Sequence, residues 1–178
     1  ETGTPINIAT EVQFNLDTTE AKYVGYTYDD GSGQQVDSNI KTVVESWYET
    51  NIWKNGQNTA VTDLIADVVY CNDRTESVQT NGSIRYGARN RLYYTQAEKN
   101  PTYVCEREED RYTQSSEKGN GLLKYPVGLL TADEMAYAGA RHGAANSEYY
   151  LYTSQTYRGM SPHYFDASTS NAGVWSVY

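Results

Sequence analysis

The chain has 178 residues, room for one domain with a core of its own and too few for a second full domain. Its 14 Lys plus Arg stand against 23 Asp plus Glu, a net charge of -9, which is the wrong sign for neutralising phosphates or docking on anionic lipid. Nucleic acid and direct membrane contact are therefore excluded from the expected partners, and no apolar run approaches the roughly 20 residues that span a bilayer. No basic-then-apolar leader opens the sequence, so any export signal or anchor is expected outside it.

Residues 1–9 are short, polar and Pro-containing, and carry no structural weight. Tyr23-Val24-Gly25-Tyr26-Thr27-Tyr28 alternates β-branched and aromatic side chains and predicts a strand, broken by the Asp- and Gly-rich residues 29–33. Asp37 and Ser38 can cap a helix whose Ile40, Val43, Val44, Trp47 and Tyr48 form one apolar stripe at i, i+3, i+4, i+7 and i+8. Asn55-Gly56 marks a turn. The apolar run 64–70 is too short to assign by period and reads either as a helix end or as a buried strand leading into Cys71.

Residues 72–124 are polar and loop-dominated, with Asn81-Gly82-Ser83 as a glycosylation-type sequon. Within them Arg85, Arg89 and Arg91 stand beside Tyr86, Tyr93 and Tyr94, a basic and aromatic cluster in an acidic chain, for which cation–π packing is the structural expectation. A second helix is signalled by a capping box of Thr131 and Glu134, with Leu130 and Met135 in the staple positions and Gly139 placed to end it. Residues 149–153 and 173–178 read as strands, with Met160-Ser161-Pro162 turning between them.

Cys71 and Cys105 are the only cysteines, each in a polar, loop-like setting. A disulfide is the expectation, and in the chain-entropy account it would contribute on the order of 3–4 kcal/mol. A reduced pair and a metal site are the alternatives. No Cys-x-x-Cys occurs, and neither His142 nor His163 lies at finger-like spacing from a cysteine.

No constellation carries chemistry. Ser161, His142 and Asp166 could be named as a hydrolytic triad, yet no Gly-x-Ser-x-Gly elbow surrounds the serine. Asp133 and Glu134 are accounted for by capping and the helix dipole. His142 with Glu148, or His163 with Asp166, could hold a transition metal only if loops converge. The expectation is a chain with no catalytic residues, no metal and no cofactor.

The aromatic residues point elsewhere: 18 Tyr stand against 2 Phe and 3 Trp. Tyr suits both a wet core and a recognition surface, because its ring is large and rigid while its hydroxyl tolerates water. The densest cluster, Tyr149, Tyr150, Tyr152, Tyr157, Arg158, His163 and Tyr164, is the expected ligand-contacting segment.

Several landmarks occur together: Tyr23-Val24-Gly25-Tyr26, Asn39-Ile40-Lys41-Thr42 with Trp47-Tyr48, Cys71-Asn72-Asp73-Arg74, and Asn90-Arg91-Leu92. Further on come Cys105 with Asp110-Arg111, the run Tyr-Pro-Val-Gly-Leu-Leu-Thr-Ala-Asp-Glu-Met-Ala-Tyr-Ala-Gly at 125–139, Met160-Ser161-Pro162 and Val174-Trp175-Ser176-Val177. Over roughly residues 20–178 this order resembles an uncharacterised family of surface proteins from gut Firmicutes with a C-type-lectin-like fold, many with prepilin-like N-termini. The helix-opening residues 129–138 are also similar to formylglycine-generating-type and phage variable-tip proteins, which supports the scaffold and not an activity.

The resemblance implies an α+β, C-type-lectin-like domain over 1–178, with two helices packed on small antiparallel sheets and long loops. It also implies a location on the outside of a Gram-positive cell. The Glu-Pro-Asn or Gln-Pro-Asp and Trp-Asn-Asp triplets of calcium-dependent lectins do not occur, and Ser161-Pro162-His163 near that place offers no carboxylate or amide pair for a hard cation. Formylglycine-type chemistry would need a cysteine pair in the second half. The family's first and last strands are missing, so either the sequence is a piece of a longer chain or another chain supplies that edge. The partners implied are a host protein or glycan, or copies of the chain itself in a fibre.

Overall fold

In the computed structural model of the chain the described residues are 8–78, 80–93, 100–140 and 157–177. They form a mixed α+β structure in which short antiparallel sheets are joined by long loops. Strands β1 (Thr27–Asp29) and β2 (Gln35–Asp37) form one hairpin, and β3 (Tyr70–Cys71) pairs with β6 (Arg111–Tyr112). The largest sheet has the order β4 (Glu76–Val78), β5 (Ile84–Tyr86), β7 (Tyr157–Asp166), β8 (Asn171–Val177). The helices are α1 (Asn39–Tyr48), α2 (Thr59–Thr62), α3 (Gly87–Leu92) and α4 (Ala132–Tyr137).

The strand expected over 23–28 begins only at Thr27, because Ala21–Tyr23 is a 3-10 turn and Gly25 has φ +134°. The kink sends its two neighbours into different clusters. Val24 packs with Tyr86 and Phe165, and Tyr26 with Phe14, Tyr112, Leu123, Met160 and Val174. A side chain at 25 would also collide with Arg74 and Asn72, each 3.0 Å from the position of a Cβ. Tyrosine serves as a core residue here: Tyr26, Tyr28, Tyr48, Tyr86, Tyr112 and Tyr125 are all buried. Tyr112 illustrates how a hydroxyl is accommodated, since it bonds both the amide and the hydroxyl of Thr27.

Helix α1 starts where its cap predicts, with Ser38 Oγ accepting from Lys41 N. Its buried face, however, is Lys41, Val44, Glu45 and Tyr48, while Ile40, Val43 and Trp47 are half-buried. Lys41 Nζ lies 2.9 Å from Glu45 Oε2 and 3.0 Å from Asp37 Oδ2, and Glu45 Oε1 accepts from the Lys124 amide at 2.7 Å. A buried cation is tolerated because its partners are one helical turn away on either side.

The run 64–70 is divided: Leu64 and Ile65 close the last turn of α2, and only at Tyr70 does it become the strand leading into Cys71. Helix α2 stops at Thr62, Leu64 is 84% exposed, and only Tyr70 enters a sheet. Polar bonds hold the segment instead, because Asp67 accepts from the amides of Gln114 and Ser115 and its carbonyl accepts from Lys118 Nζ.

Cys71 and Cys105 form the disulfide, with Cα atoms 5.6 Å apart and a separation of 34 positions. Around it the loops are braced by charge. Asp110 accepts from the Arg74 amide at 2.8 Å, Arg107 donates to the Arg74 carbonyl, and Arg111 donates to the Cys105 carbonyl. Burial raises the Asp110 carboxyl above its ordinary value despite these donors.

The capping box of Thr131 and Glu134 opens α4, and Gly139, with φ +101°, follows it. Leu130, expected to staple the turn, is 41% exposed, and its carbonyl accepts from the Met160 amide. Met160-Ser161-Pro162 is therefore not a turn but part of β7, buried against the start of α4, and the reversal falls at residues 167–170. Pro162 sits where the β7–β8 register shifts, a place where a strand loses no ladder bond to a missing N–H. The strand expected at 149–153 lies outside the described residues.

Candidate functional site

The site grows from the pairing of β5 with β7. Ile84 faces Phe165 and Arg85 faces Tyr164, so strand alternation sends Ile84, Tyr86 and Phe165 into the cluster around Val24. Arg85 and Tyr164 fall on the other face. Tyr164 also pairs with Gly173, and its ring lies 2.8 Å from where a Cβ at 173 would stand, so glycine there lets the ring lie flat on the sheet.

Between the pairs Pro162–Val174 and Tyr164–Gly173, β7 carries one additional residue, His163. A bulge re-aims the side chain of its extra residue, and this one meets α3. Arg89 Nη1 contacts His163 Nε2, and a guanidinium can only donate in such a contact. The Arg89 guanidinium lies 3.9 Å from the centre of the Tyr93 ring. The His163 ring is 4.5 Å from that of Trp175, 5.2 Å from Tyr164 and 5.9 Å from Tyr93. A β-bulge and a one-and-a-half-turn helix thus help gather one cation and four rings.

Beside this cluster opens a pocket of about 290 Å³. Ile84 and Phe165 contribute its apolar lining, and Ser83, Arg85, Arg89, Tyr164 and Asp166 its polar lining. Asp166 is held below the usual carboxylate range by donation from the Ser168 hydroxyl and amide, so it is ionised at neutral pH and already engaged in the turn after β7. Ser83 Oγ accepts from the Ala167 amide and ties that turn to the β4–β5 connection.

Of the ligand-contacting residues expected from sequence, His163 and Tyr164 belong to this cluster. Arg158 is exposed nearer the start of β7, opposite Ser176, and Tyr157 pairs with Val177; neither lines the pocket. Tyr149, Tyr150 and Tyr152 lie outside the described residues. The structure joins His163 and Tyr164 to Arg85, Arg89 and Tyr93, a cluster the sequence presented as separate, and adds Trp175 and Ser83, which carried no signal beyond a strand pattern and a sequon. The expected cation–π packing of this cluster is found between Arg89 and Tyr93.

The other candidates have structural partners. Ser161 is fully buried and its Oγ accepts from the Ala132 amide, and His142 and Glu148 lie outside the described residues. Asp133 does more than favour a helix dipole: with Asp73 it clasps Arg91, whose Nη2 is 2.6 Å from an oxygen of each, and it accepts from the Thr102 amide. Gly87 is required beneath this clasp, because a Cβ there would stand 2.6 Å from Asp73 Oδ2. Among the described residues no group of three or more His, Cys, Asp or Glu could hold a metal ion, and no helix is long and apolar enough to cross a membrane. Comparison of the chain with protein-family models, curated proteins and solved structures gives no match.

Proposed function

We propose that this chain is a non-catalytic recognition domain of a bacterial surface protein, related to the surface-protein family of gut Firmicutes and built on a C-type-lectin-like scaffold. It is displayed outside a Gram-positive cell and binds a host or environmental glycan or protein. The observation that carries this reading is the convergence of Arg89, Tyr93, His163, Tyr164 and Trp175 beside a pocket, from segments 74 positions apart at the Arg89–His163 contact. Rings offer large contact area at little entropic cost and a guanidinium adds donors and cation–π contacts, which is the chemistry of a recognition face rather than of a reaction.

The test is a screen of the purified chain against immobilised glycans and host extracellular proteins, repeated with Tyr164→Ala and Arg158→Ala. Tyr164→Ala is expected to weaken a detected interaction about tenfold or more while the melting temperature moves by only a few degrees. Arg158→Ala is expected to have the smaller effect, and binding unchanged by Tyr164→Ala would remove the pocket from the reading.

A second reading is a pilin-like or fibre subunit that assembles with its own copies. The observation favouring it is β8, which pairs with β7 on one side and has no second strand partner among the described residues. Ordered filaments of the native material in electron microscopy would support it, and dispersed particles would not.

A further inference from the structure

We propose that Tyr103 and Tyr137 are a site of oxidative cross-linking, where a peroxidase-type one-electron oxidant with hydrogen peroxide joins the two rings as dityrosine within one chain. Their ring centroids lie 4.3 Å apart and their planes are 11° from parallel, a face-to-face stack. Both rings are open to solvent, Tyr103 at 70% exposure and Tyr137 at 49%, so an oxidant reaches them. Other tyrosine pairs among the described residues differ on this point. Tyr26 with Tyr112 and Tyr48 with Tyr125 are buried at both rings, and Tyr23 meets a Tyr28 that is buried. A close-packed interior shields such rings from an enzyme-sized oxidant and leaves them no room to form a new bond.

The surroundings hold the exposed pair together. The Tyr137 hydroxyl donates to the Pro101 carbonyl at 2.7 Å, which ties the last turn of α4 to the segment that carries Tyr103. The Thr102 amide donates to Asp133 in the first turn of α4, and Cys105 is bound to Cys71. Residues 101–105 are thus anchored at three points while the Tyr103 ring stays at the surface. Two rings kept this close meet at an effective concentration far above that of a second chain, so coupling within the chain outruns coupling between chains.

Each phenol gives up one electron and its hydroxyl proton, and the peroxide takes both electrons and both protons to become two waters. The two phenoxyl radicals then pair their electrons in a carbon–carbon bond between ring positions ortho to the oxygens. The hydrogen on each bonded carbon moves to its own oxygen and restores both phenols, so the product has lost two hydrogen atoms. Stacked rings must tilt for these carbons to bond, and the exposed Tyr103 ring has the room to turn. The product ties the loop before Cys105 to the end of α4, a second covalent closure beside the disulfide.

The test is oxidation of the dilute, disulfide-intact chain with a haem peroxidase and hydrogen peroxide, reading dityrosine fluorescence in the monomer after separation by size. Following reduction, trypsin places Tyr103 and Tyr137 on separate peptides, 100–107 and 125–141, and a joined pair two hydrogens lighter than their sum identifies the bond. Tyr103→Phe keeps a ring for the stack but has no hydroxyl to oxidise, and is expected to lower monomer dityrosine about tenfold. Tyr23→Phe is expected to leave it unchanged, with circular dichroism matching the parent chain in both variants. Dityrosine that survives Tyr103→Phe, that maps to other tyrosines or that is confined to coupled chains would overturn the assignment. So would its absence under conditions that couple free tyrosine. None of these outcomes bears on the recognition reading, because neither ring lines the pocket beside His163.

Discussion

Arg89 and Arg91 are two positions apart on one short helix and meet opposite surroundings. Arg91 points to Asp73 and Asp133 and ties the loop after Cys71 to the start of α4; Arg89 points to Tyr93 and His163 and borders a pocket. A cation between carboxylates is neutralised and structural. Arg89 meets a ring through its cation–π contact with Tyr93, at the border of the pocket. The difference lies in the neighbours, since both side chains leave the same backbone element.

The widest test of the braced region is its covalent tie. Replacing Cys71 and Cys105 by Ser is expected to remove roughly 4 kcal/mol, the chain-entropy value for a loop of this length, measured by urea unfolding of oxidised and variant protein. A loss below about 1 kcal/mol would mean that the ionic brace alone orders these loops. Next comes the brace itself. Arg91→Ala leaves two mostly buried carboxylates uncompensated and should cost about 3 kcal/mol. Tyr164→Ala, on the pocket side, should cost well under half of that, and equal costs would erase the contrast between the two regions.

The third test concerns the tyrosine core against tyrosine at the surface. Burial pushes both Tyr86 and Tyr112 up to about 12, against an ordinary value of 10.0. The unfolded chain therefore releases these protons first as pH rises. Stability is intact below pH 10 and falls as the pH climbs through 12, by on the order of 2–3 kcal/mol per residue. Tyrosinate absorbance should show Tyr86 and Tyr112 titrating only above the ordinary tyrosine range or with unfolding. A single transition near pH 10 with the fold intact would contradict the assigned burial.

Local signals were the legible ones. Ser38 caps α1, Thr131 and Glu134 box the start of α4, and the Gly173-Val174-Trp175 pattern is a strand, because each rests on contacts within one or two turns or on a period-two alternation. The misreadings share a cause. Lys41 and Glu45 are buried because they satisfy each other and Lys124, which an apolar stripe cannot signal. Met160-Ser161-Pro162 continues a strand because the Leu130 carbonyl and Ala132 amide meet it from 29 or 30 positions away. Much of the stretch 64–69 stays at the surface, where Asp67 is claimed by the loop at 114–118.

By itself the sequence determined the presence of both strands and helices, the start of helices α1 and α4 and the choice of the two cysteines as partners, all properties of residue type, spacing and count. Only the tertiary structure decided which cations are consumed by carboxylates, which residue β7 extrudes at its bulge and which rings gather beside Arg89. The physical reason is range. Caps and periodicity act through the backbone over a few residues, whereas the site exists through contacts whose partners lie 74 positions apart and through a strand register fixed by neighbouring strands.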